Sequence, residues 1–95
     1  MESIIQGSDH RCYYTKREGD GLQTHHIYFG GNRQVSDDNG FTVYLWWDRH
    51  IAGSPFKTPH NDRDTDLYLK RLCQEKFEET HTREEFIELI GKSYL

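Results

Sequence analysis

The residues of this chain best suited to chemistry are two adjacent histidines, His25 and His26, and a third, His50, farther along. A histidine can ligate a divalent metal ion through a neutral ring nitrogen, and it can also act as a general base. Successive residues of a strand point to opposite sides, so one histidine of the pair can bind an ion while the other faces a substrate. This division suits phosphodiester hydrolysis, in which a histidine takes the proton of the attacking water and a cation neutralises charge on the phosphate.

The elements around the histidine pair are predicted to form a β-hairpin. Residues 11–15 are rich in aromatics and compatible with a strand, and residues 19–21 contain two glycines and an aspartate that favour a turn. Residues 22–29 end in an isoleucine and two aromatics, which favour extended structure. We therefore expect the pair to lie on or just after the second strand of a hairpin.

A loop, a strand and an irregular segment are expected next. Glycine, asparagine, aspartate and serine dominate residues 30–40, which predicts a loop long enough to need a functional or wrapping role. The unbroken run of β-branched and aromatic residues at 41–47 predicts a strand, and His50 lies just past its end. Residues 51–60 contain a glycine and two prolines, which exclude an ordinary helix.

Two helices are predicted in the last third of the chain. From Leu69 the apolar residues of segment 62–79 recur at the spacing i, i+3, i+4, i+8, and aspartates at its start favour the positive end of a helix dipole. Thr82 and Glu85 form a capping box that opens a second helix, which Gly91 ends.

The composition fits one small domain with few, bulky core residues. Only 34% of the 95 residues are hydrophobic but 14% are aromatic, and a chain of this length closes one core. Residues 1–9 show no periodicity and are expected to be a flexible leader, ahead of a single domain at 10–95. Because no membrane span or export signal is visible, we expect a cytoplasmic protein with Cys12 and Cys73 reduced and Cys73 packed in the core.

The charge balance disfavours nucleic-acid binding by bulk electrostatics. Twelve basic and sixteen acidic residues give a formal charge of −4, whereas such binding needs excess positive charge. Most of the excess acid lies in residues 61–95, and a divalent cation bound in the earlier part would make that part locally positive. Arg33 is the basic residue that we expect to contact a phosphate.

The string from His25 to Arg33, HHIYFGGNR, resembles the HHIFGG-x-R segment of small phage HNH-type nucleases. The similarity continues through Gly40–Leu45, to His50 at the last histidine of the motif, and to closing segments at Arg83–Phe86 and Gly91–Leu95. It therefore covers about residues 10 to 95.

The resemblance implies an α+β fold of the ββα-metal type, a HNH or treble-clef-like hairpin plus helices, with the C-terminal helix packed on the core. It implies a divalent-metal-dependent DNA endonuclease or nickase in the cytoplasm of a host cell, if the chain is phage encoded. His26 would be the general base, and His25, His50 and His60 would ligate the ion. Magnesium, manganese, nickel and zinc all remain open as its identity.

Two departures from the family pattern have consequences. The asparagine of the motif would fall near Phe41, so we expect Asn39 or Asn32 to take its place, with Asn32 also near the nucleic acid beside Arg33. Many members of the family hold a structural zinc at four positions. Three of the four matching residues here offer neither thiolate nor imidazole, so no structural zinc is expected. The four residues are Cys12, Thr15, Trp46 and Arg49.

Two other functions stay open at this point. In the first, the fold has lost catalysis and binds a protein or nucleic acid, for instance as a phage-encoded inhibitor of a host defence or nucleic-acid-processing protein. The acidic C-terminal third suits a basic partner surface. In the second, the chain only dimerises or supports an assembly, in which case it binds no metal.

Overall fold

The computed structural model describes residues 1–95 as an α+β fold with a two-stranded antiparallel sheet and three α-helices. Strand β1 spans Leu22–His26 and β2 spans Thr42–Trp46, while α1 spans Arg33–Asn39, α2 spans Arg63–Phe77 and α3 spans Arg83–Ile90. Short 3-10 helices at Gly30–Asn32 and Trp47–Arg49 precede α1 and follow β2. No helix has the length and hydropathy needed to cross a membrane.

The two strands of the sheet are β1 and β2, so the predicted hairpin between residues 11–15 and 22–29 is wrong. The pairing runs from Leu22 opposite Trp46 to His26 opposite Thr42. Residues 11–15 contain turns instead of a strand, because Lys16 adopts a positive φ of 63° and donates its N–H to the Cys12 carbonyl. An extended segment cannot continue through such a turn.

The loop predicted at residues 30–40 is also wrong, because most of this segment is the 3-10 helix and α1. The sequence does not predict α1 because this helix has no apolar face: Ser36 is its one buried residue. The Ser36 hydroxyl donates to the Tyr28 carbonyl and accepts from the Tyr28 N–H, at 2.7 and 3.2 Å. Gly40 ends the helix with a left-handed φ of 70°, which glycine adopts without strain.

The remaining predicted elements are confirmed. The strand expected at 41–47 is β2, the helix expected at 62–79 is α2, and no regular element interrupts residues 51–60. Thr82 and Glu85 form the reciprocal capping box of α3, and Gly91 follows its end in a left-handed conformation. Each of these predictions rests on a local signal that does not depend on distant residues: an apolar run for β2, apolar periodicity for α2, glycine and proline for residues 51–60, and a capping pattern for α3.

The core lies between the sheet and helices α2 and α3. Phe86 of α3 is fully buried, and its ring lies 5.4 Å from that of Tyr28 and 6.1 Å from that of Phe41, so the C-terminal helix packs on the core as expected. Cys73 is a buried free thiol in this cluster, and Cys12 is a buried free thiol outside it. The cluster comprises Ile27, Tyr28, Phe41, Val43, Leu45, Leu69, Cys73, Phe77, Phe86 and Ile90.

Residues 1–9 are docked on the sheet, in contrast to the flexible leader expected for them. Ile4 donates its N–H to the Gly40 carbonyl at 2.9 Å, and the Gln6 side-chain oxygen accepts from Tyr44 N–H at 2.7 Å. The buried Ser3 hydroxyl donates to the Thr42 carbonyl. Because β2 pairs with β1 on one side only, its other edge has unpaired backbone groups. Ser3 and Gln6 satisfy the Thr42 carbonyl and the Tyr44 N–H, and Tyr13 N–H satisfies the Tyr44 carbonyl.

Candidate metal centre

Three histidines from separate parts of the chain converge at one place in the fold. His25 lies on β1, His50 follows the 3-10 helix after β2, and His60 precedes α2. One ring nitrogen from each lies within 4.8 Å of the other two, and the ring centroids are 5.0 to 5.2 Å apart. These three side chains are close enough to bind one metal ion.

The alternation of side chains along β1 determines which face of the strand His25 occupies. Directly opposed residues of an antiparallel pair share a face, and His25 lies opposite Val43, while Gln23 lies opposite Leu45. Val43 and Leu45 belong to the core, so His25 and Gln23 are on the core side of β1. Accordingly, only 1% of the surface of His25 is exposed.

His60 is held by a hydrogen-bonded loop that Thr58 and Asn61 organise. The Thr58 hydroxyl accepts from His60 N–H and donates to the Ile51 carbonyl, at 3.3 and 3.2 Å. The Asn61 side chain accepts from Thr58 N–H at 2.8 Å, and its amide group donates to the carbonyls of Ala52 and residues 54 and 56. Asp62, the next residue, caps α2, so the loop and the helix start form one unit.

The surroundings of His25 and His50 favour neutral imidazoles. The pKa of His25 is lowered to about 3, mainly by burial and also by charge repulsion from the neighbouring His50 and His60. Burial likewise lowers the pKa of His50 to about 4, again with a contribution from His60. His25 and His50 are therefore unprotonated at neutral pH, which is the state that ligates metal.

One atom in the cluster has an unfulfilled hydrogen-bonding capacity. Nε2 of His25 is buried and has no hydrogen-bond partner, although buried polar atoms are nearly always paired. A metal ion would satisfy this nitrogen. The three donors are all imidazoles, without carboxylate or thiolate, and such a set suits zinc, nickel, cobalt or copper better than magnesium or calcium, which prefer oxygen.

The cluster forms one wall of an open cavity of about 220 Å³. Arg33 and His26 line this cavity and also an adjoining polar cavity of about 610 Å³, which Asp37 shares. Nε2 of His26 lies 3.2 Å from the Asp37 carboxylate, and 16% of the His26 side chain is exposed. The first cavity is lined by Thr24, His25, His26, Phe29, Arg33, His50 and His60.

No protein-family model, curated protein or solved structure gives a significant match to this chain.

The two asparagines considered for the motif position are not among the residues that line the histidine cavity. Asn39 donates its side-chain amide to the Val35 carbonyl, one turn back in α1, and lines a separate cavity with Met1 and Ile4. The side-chain amide of Asn32 donates to the Ile90 carbonyl at 3.0 Å and so joins α1 to the end of α3. Both amides thus make contacts within the fold.

Four residues of the site were missed by sequence reasoning. Gln23 had a usable signal, because a residue two positions before His25 on a strand shares its face. Asp37 lies in a segment whose composition predicts a loop, and such a segment gives no sequence signal for its approach to His26. Thr58 and Asn61 act through backbone groups of residues 51–60, and an irregular segment offers no periodicity from which such bonds can be predicted.

Proposed function

We propose that the protein is a divalent-metal-dependent phosphodiester hydrolase of the HNH type that cleaves or nicks DNA. The single observation that supports this best is the convergence of three imidazoles on one wall of a cavity that His26 and Arg33 also line. In chain order the three ligands lie on β1, shortly after β2 and shortly before α2, as His25, His50 and His60 respectively. This order supports a ββα-metal assignment.

The residues divide into a metal group and a proton-transfer group. His25, His50 and His60 would hold the ion, which when bound supplies positive charge against the phosphate and the leaving oxygen. His26 follows His25 directly, so its side chain leaves the strand on the opposite side, outside the ligand set. Its contact with Asp37 orients the ring, and the other ring nitrogen can take the proton of an attacking water.

Arg33 supplies the phosphate contact. Its guanidinium takes part in none of the six ion pairs of the structure, and it lines both cavities beside His26. The fork of N–H donors on an arginine matches phosphate oxygens in a bidentate manner. Together with a bound cation, Arg33 would make this end of an acidic protein locally attractive to DNA.

A second function is favoured by one observation, namely that neither Asn32 nor Asn39 lines the histidine cavity. The protein would then be a catalytically inactive relative of HNH nucleases that binds another protein or a nucleic acid. In this case the histidine cluster would still bind metal, but His26 would have no catalytic task.

A supercoiled-plasmid nicking assay separates the two functions. The assay compares wild type, His26→Ala, His60→Ala and the control His81→Ala with magnesium, manganese, nickel, cobalt or zinc. His81 stacks on Phe77 away from the cluster. The nuclease proposal expects nicking by wild type and His81→Ala, none by His26→Ala although it still binds metal, and neither nicking nor tight metal binding by His60→Ala. Metal binding without nicking under any of these ions would favour the inactive binding protein.

A further inference from the structure

We infer that Gln23 is a positioning residue of the metal centre, which fixes the tautomer of His50 so that its Nε2 carries the free lone pair. This inference rests on the proposed metal centre. The observation behind it is a contact of 2.6 Å between Nδ1 of His50 and the side-chain oxygen Oε1 of Gln23.

The chemistry of the amide decides which nitrogen of His50 holds the proton. An amide oxygen can only accept a hydrogen bond, so Nδ1 of His50 must donate and therefore carries the hydrogen. A neutral imidazole has one protonated nitrogen, which leaves Nε2 as an acceptor or ligand atom. The contact thus disfavours the other tautomer, in which Nε2 carries the hydrogen and cannot ligate a metal ion.

The fold makes this contact by strand alternation and pairing. Gln23 lies two residues before His25, on the same face of β1, and opposite Leu45 near the end of β2. His50 follows β2 by a single 3-10 turn, whose Trp47 carbonyl accepts the His50 N–H. Gln23 and His50 are both half-buried, so the bond between them is partly shielded from competing water.

This contact has the form that supporting bonds take around metal-ligating histidines. A ligating imidazole usually donates its second N–H to an oxygen, which orients the ring and raises its basicity, and loss of such a partner weakens metal binding about 10- to 100-fold. Gln23 would therefore act through His50 without touching the ion. His25, by contrast, is oriented by burial in the core.

The first test reads the tautomer directly in the metal-free protein. Long-range proton–nitrogen NMR spectra at neutral pH distinguish Nδ1–H from Nε2–H imidazoles. We expect His50 to be the Nδ1–H form in wild type and in Gln23→Glu, whose carboxylate can only accept, and to lose this preference in Gln23→Leu. An Nε2–H form of His50 in the wild-type protein would overturn the inference, whatever the metal affinity.

The second test measures affinity for cobalt and zinc alone. We expect Gln23→Leu to bind about 10- to 100-fold more weakly than wild type, and Gln23→Glu to bind at least as tightly. Gln34→Leu is the matched control, because the Gln34 amide contacts Asp38 on the surface of α1, and it should bind as wild type does. Gln23→Met serves as a second uncharged variant if the leucine variant melts at a much lower temperature.

The outcomes separate this inference from the function that underlies it. Wild-type affinity in folded Gln23→Leu or Gln23→Met would overturn the role of Gln23 and leave the metal centre intact. Failure of the wild-type protein to bind any divalent ion would overturn the metal centre, while the NMR spectrum would still decide whether Gln23 sets the tautomer of His50.

Discussion

The imidazole of His25 meets that of His60 edge to face, with ring centroids 5.1 Å apart and ring planes at 87°. One ring belongs to a strand in the core and the other to an exposed loop. This pairing of a rigid ligand with an accessible one makes His60 the ligand that can be removed with the least damage to the fold.

Replacement of His60 by alanine should abolish metal-dependent stabilisation and leave the stability of the metal-free protein nearly unchanged. A ligand that binds only the native state raises the free energy of unfolding by roughly 2.7 kcal/mol when its concentration is about 100 times its dissociation constant. This increment should vanish in His60→Ala. The measurement is thermal unfolding with and without zinc or cobalt, with His81→Ala as control. Equal metal-induced shifts in wild type and His60→Ala would exclude His60 as a ligand.

The metal-free protein should lose stability as the pH falls below about 6.5, the ordinary pKa of histidine. The native pKa of His25 is lowered to about 3 and that of His50 to about 4, so the unfolded state binds more protons in this range and is favoured by acid. The stabilising effect is thus fully present above pH 6.5 and declines as the pH approaches the native pKa values.

Urea unfolding between about pH 5 and 6.5 isolates this effect, because ordinary carboxyl groups titrate lower. The slope for the buried His25 should be at most about 1.4 kcal/mol per pH unit, and His50 should add less because it is partly solvated. In His25→Asn the slope should flatten. An unfolding free energy independent of pH in this window would contradict a buried, neutral His25.

Asn61→Ala should loosen the loop that carries His60. The substitution removes the acceptor for Thr58 N–H and the donor to three carbonyls of residues 52–56. The bond from Thr58 N–H is half-buried and the three to the carbonyls are exposed. A typical hydrogen bond contributes about 1 kcal/mol, so we expect a modest fall in stability with faster hydrogen exchange in residues 51–60 and weaker metal binding. Asn61→Asp retains the acceptor and should lie between wild type and alanine, and unchanged exchange in Asn61→Ala would show that the loop is held by other contacts.

Ser3→Ala should destabilise the protein although it lies at the third position of the chain. The buried hydroxyl donates to the Thr42 carbonyl and accepts from the N–H groups of Ile5 and Gln6. Leaving buried partners without a hydrogen bond costs about 1–3 kcal/mol. Chemical denaturation measures the change, and Ser8→Ala, at an exposed position, is the control that should be neutral. Equal stability of the two variants would mean that the N-terminal segment does not hold the edge of β2.

For the proposed nuclease, we expect Arg33→Ala to weaken DNA binding without affecting metal binding. Each phosphate contact adds roughly 0.9 to the slope of the logarithm of affinity against the logarithm of salt concentration, so the slope should fall by about 1. Binding of a short duplex at several salt concentrations gives this slope. The control is Arg63→Ala, at the exposed start of α2 and outside the cavities. An equal fall in the salt slope of Arg63→Ala would show that Arg33 contributes only general electrostatic attraction and no specific phosphate contact.

The parts of the fold that were predictable carry local signals. The run of β-branched and aromatic residues identified β2, and the pairing of Thr82 with Glu85 identified the start of α3. The types and spacing of the histidines, with a family resemblance, also predict that they form a site. These inferences needed only neighbouring residues, because strand propensity and helix capping act within a few positions.

Long-range contacts decided the strand pairing and the structure of residues 30–40. Nothing local favours β2 over residues 11–15 as the partner of β1. The one buried residue of α1, Ser36, bonds to Tyr28, eight residues away.

By itself, the sequence determined which side chains can bind an ion or move a proton, and which segments are intrinsically extended or helical. Only the tertiary structure decided that His25, His50 and His60 meet, that Gln23 contacts His50 and that the N-terminal segment covers β2. The physical reason is that these contacts join distant residues, whose hydrogen bonds and burial are realised only once the whole core has closed.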